Sequence, residues 1–106
     1  MKGIIERLKK EKEQNRIKWF DIGREAGLRW AKLSSYEALK FIGTWKPDVI
    51  PMRPLIEIEE SNEDWFQENV FEVVPKPLRG SEAYSLFQAG FVQAAKQFWN
   101  EVNDKI

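Results

Sequence analysis

From Ile17 to Leu33 the residues Trp19, Ile22, Ala26, Trp30 and Leu33 recur at spacings of three and four, the period that places side chains on one face of a helix. A second segment, Glu82 to about Asn103, carries one stripe of Tyr84, Phe87, Phe91, Ala94, Phe98 and Val102. Beside it runs a neighbouring stripe of Val92, Ala95, Trp99, Val102 and Ile106. So broad an apolar face has to be covered, either by the central helix of its own chain or by a second subunit. Ser81 stands where an N-cap is needed for the last helix.

Two shorter helices are predicted between them. Ser34 and Glu37 have the spacing of a capping box, so a helix is expected to start there and run to about Ile42, with Tyr36, Leu39 and Ile42 inward and Gly43 ending it. Ser61 or Asn62 can cap another through about Asn69, with Glu63 and Asp64 in its first turn and Trp65, Phe66 and Val70 on its buried side. Leu55 to Glu59 alternates apolar and acidic residues and predicts a short edge strand, with which Val70 to Val74 can pair. Pro47, Pro51 and Pro54 make residues 44–60 a stiffened connection, and Pro75 and Pro77 interrupt the chain again. Residues 1–16, with no apolar residue between Leu8 and Ile17, read as a solvated helical extension of the central helix. The expected fold is mainly α: one domain over residues 1–106, about four helices, and a two-stranded β element at 55–59 and 70–74.

Both long helices contain small residues at matching places. The first reads Phe20-x-x-Gly23-x-x-x-Gly27 and the last Phe87-x-x-Gly90-x-x-x-Ala94. A glycine inside a helix costs about 1 kcal/mol against alanine, and close helix packing is the simplest compensation. Setting Gly23 against Gly90 also sets Gly27 against Ala94, so the two helices are expected to cross closely there.

Composition narrows the chemistry. The chain has 106 residues, 42% hydrophobic and 32% charged, which suits one folded domain and argues against global disorder. Five tryptophans supply much of the area to be buried. With no cysteine and no histidine, thiolate chemistry, disulfides, imidazole bases and the usual zinc ligands are excluded. No glycine-rich phosphate loop is present, so no cofactor is implied and catalysis is not expected. The apolar run at residues 1–10 is too short for a signal-peptide core or a membrane span, and a cytoplasmic location is expected.

Net charge is zero but unevenly placed: residues 1–46 hold 12 basic against 6 acidic side chains, and residues 47–106 hold 5 against 11. The halves attract one another, either within one domain or between copies. Glu57, Glu59, Glu60, Glu63, Asp64, Glu68 and Glu72 form an acidic run with no basic residue between them. It lacks the spacing and the central glycine of a calcium loop, so no metal site is expected. Trp45, which no core periodicity claims, and Glu57, Glu59, Glu60, Glu63, Asp64 and Glu68 are the candidate contacts for a protein partner.

Residues Asp21-Ile22-Gly23-Arg24-Glu25-Ala26-Gly27-Leu28 resemble the first helix and turn of lac-repressor-type helix-turn-helix domains, in which a glycine makes the turn. The resemblance implies a DNA-binding unit over residues 21–36, with Leu33 and Tyr36 in its core and Arg29, Lys32, Ser34 and Ser35 facing a major groove. Trp30 then falls near the exposed side of the recognition helix, and the cap expected at Ser34 cuts that helix in two. The two readings therefore differ on whether Gly27 lies inside a helix or at a turn. The first expectation is a non-catalytic, self-associating interaction or assembly module. The alternative is a helix-turn-helix DNA-binding protein.

Overall fold

The computed structural model describes residues 1–45, 53–72, 74, 76–78 and 80–106. Among these it is mainly helical, with α1 Lys2–Leu33, α2 Tyr36–Gly43, α3 Arg53–Ser61, α4 Glu63–Asn69 and α5 Glu82–Val102, followed by a 3-10 turn at Asn103–Lys105. The helices number five rather than four, and no strand forms among the described residues. The stiff connection expected over residues 44–60 lies outside the described residues at 46–52, as do Val73, Pro75 and Arg79.

The fifth helix replaces the expected edge strand. Residues 55–59 lie within α3, and Val70 to Phe71 form a turn after α4. The alternation Leu55–Glu59 also satisfies a helical period, because Leu55, Ile58 and Glu59 are at i, i+3 and i+4, and all three are buried. Pro54 does not oppose this, since it sits in the first turn, where its missing N–H is not needed.

α1 and α5 are the central pair, and they run in the same direction. A β-carbon on Gly23 would strike the Phe87 carbonyl, and four residues further on one on Gly27 would strike the Phe91 carbonyl. α2 lies at the Trp99 end of α5, α4 and the turn after it lie beside Phe91 and Phe87, and α5 starts beside Trp19 and rises with α1. Rings mark the contact, with Trp19 6.4 Å from Phe87 and Trp30 5.5 Å from Phe91. Arg24 Nη2 donates to Gln97 Oε1 at 3.2 Å on the exposed side.

The close crossing expected at Gly23 and Gly90 is present: a β-carbon on Gly90 would meet the Phe20 carbonyl and the amide nitrogen of Arg24, which adjoins Gly23. Gly23 receives the Phe87 backbone and Gly90 receives the Phe20 carbonyl, so each Phe-x-x-Gly sequence seats its glycine on the other's phenylalanine main chain. Interlocked in this way, each small residue is filled by backbone.

The remaining elements close the core. Phe66 of α4 lies 5.6 Å from Phe91, and Phe71 in the following turn lies 5.7 Å from Phe87 and 6.2 Å from Phe66. α2 crosses the far end of α5, with Tyr36 5.8 Å from Trp99 and Gly43 against the Trp99 indole. Leu39 and Ile42 are buried as expected, but Tyr36 is exposed and Leu33 is 75% exposed. The cap also shifts by one residue: Ser35 Oγ accepts from the Ala38 amide at 3.2 Å, while Ser34 donates to the Ala31 carbonyl at 3.0 Å. Ser81 caps α5 as expected, accepting from the Tyr84 amide at 3.1 Å.

Candidate functional site

The acidic run is divided by the helical period of α3. Glu57 and Glu60 face outward, whereas Glu59, beside Leu55 and Ile58, is only 2% exposed. Lys76 Nζ stands 3.9 Å from Glu59 Oε2 and 6.0 Å from the centre of the Phe71 ring. The lysine is half exposed, so solvent screens the pair and its attraction is modest. Glu59, Glu63 and Asp64 line one open cleft of about 370 Å³ together with Phe66, Phe71 and Lys76. Glu68 and Glu72 are exposed elsewhere. Among the described residues, no three or more acidic side chains are disposed to hold a metal ion.

Trp45 is tied into the fold. It is half-buried, its ring stands 5.5 Å from Phe41, and its carbonyl accepts from Lys96 Nζ at 2.5 Å. Of the candidate partner contacts, Glu57, Glu60, Glu63, Asp64 and Glu68 are accessible, and Glu59 and Trp45 are largely withdrawn.

The turn at Gly27 on which the helix-turn-helix resemblance depends does not form. α1 passes through Gly27 without a turn, so residues 21–36 do not form two crossed helices joined at that glycine. The glycine serves the approach of α5 instead. Arg29 bonds to the end of α4, donating at 3.4 Å to both the main-chain and side-chain oxygens of Asn69. Lys32 lies exposed in the last turn of α1, where the helix dipole favours a cation. Ser34 and Ser35 are engaged in ending α1 and starting α2. The four do not share one exposed face of a recognition helix.

The feature that the sequence reading passed over is the start of α1. Ile4, Ile5 and Leu8 are each about half exposed on a helix that runs past α5, which accounts for the 57 × 27 × 24 Å extents. Near the base of this projection, Leu8, Glu11, Lys12 and Trp19 face Glu82, Ala83 and Leu86 across an open cleft. The signal was present in the sequence: Met1, Ile5, Leu8 and Lys12 follow at spacings of four and three, and Trp19, on the same face, stands seven residues beyond Lys12. The polar interval between Leu8 and Ile17 hid it.

The fold thus defines a mainly helical protein built on a close parallel helix pair. No helix among the described residues is long and apolar enough to cross a membrane. Compared with known families, characterised proteins and solved structures, the chain matches none.

Proposed function

We propose that this protein is a non-catalytic interaction and assembly module of the cytoplasm that associates with itself. The observation that supports the reading is the projecting start of α1, where Ile4, Ile5 and Leu8 lie about half exposed. The outward carboxylates of α3 and α4 offer a second contact surface, for a basic protein partner.

Sedimentation velocity over a range of protein concentrations, at low and at physiological salt and with and without a mixed-sequence DNA duplex, tests the proposal. A dimer or larger species that leaves the duplex free is expected. A monomer at every concentration overturns self-association. A duplex complex that weakens steeply with salt replaces the proposal with nucleic-acid binding.

A further inference from the structure

We draw no further inference here: the strongest candidate, the open cleft beside α3 and α4 lined by Glu59, Glu63, Asp64 and Lys76, rests on a cluster of acidic side chains, and no second feature among the described residues points to a ligand there.

Discussion

Gly23 and Phe87 meet without an intervening side chain: the Phe87 carbonyl occupies the space in which a β-carbon on Gly23 would have to sit, and one turn away the Phe20 carbonyl does the same at Gly90. This reciprocal contact brings α1 and α5 together closely enough for Trp19 and Trp30 to reach the phenylalanines of α5. It also explains glycines inside helices that would be stiffer with alanine.

Gly23→Ala and Gly27→Ala are therefore expected to destabilise the fold by about 2 kcal/mol or more, despite a gain of about 1 kcal/mol in helix propensity. Both obstacles are backbone atoms that cannot turn aside. Gly3→Ala, with nothing within 4 Å of its added methyl, is expected to be neutral or stabilising by a few tenths of a kcal/mol. Urea unfolding of the three variants checks the contrast.

The phenylalanines at the centre act as a unit. Phe66→Ala and Phe91→Ala are each expected to cost about 3–5 kcal/mol, since both side chains are essentially inaccessible. Their rings are 5.6 Å apart, so the double variant is expected to lose less than the sum by about 0.5 kcal/mol or more. A double-mutant cycle from denaturant midpoints measures the difference.

The carboxylates of α3 are not equivalent. Glu59→Ala is expected to cost about 1–3 kcal/mol, because it empties a buried position and removes the partner of Lys76. Glu57→Ala and Glu60→Ala, on the exposed side, are expected to stay within about 0.5 kcal/mol of wild type. The strand reading places Glu57 and Glu59 on one face and forecasts equal effects. Thermal unfolding of the three variants separates the readings.

The caps give a local check. Ser35→Ala and Ser81→Ala each remove an acceptor from a helix-start amide and are expected to cost about 1 kcal/mol. Ser34→Ala removes no N-cap and is expected to cost less. Unfolding curves for the three serine variants locate the start of α2.

The period of the apolar residues was enough to place the two long helices, because each needs only local backbone geometry and one greasy face, and both are written over several turns. Ser81 as a cap, Leu39 and Ile42 as inward residues, and the packing of 17–33 on 84–102 were legible for the same reason. Short segments were not. LIEIE satisfies a period of two and a period of three to four equally well, and burial of Leu55, Ile58 and Glu59 together decides for the helix. Gly27 satisfies a turn and a close helix contact equally well, and the approach of Phe91 decides for the contact. The direction of α5 and the exposed start of α1 depend on where a chain end returns after some fifty residues. Such long-range placement is settled by packing the whole core, and local periodicity carries no record of it.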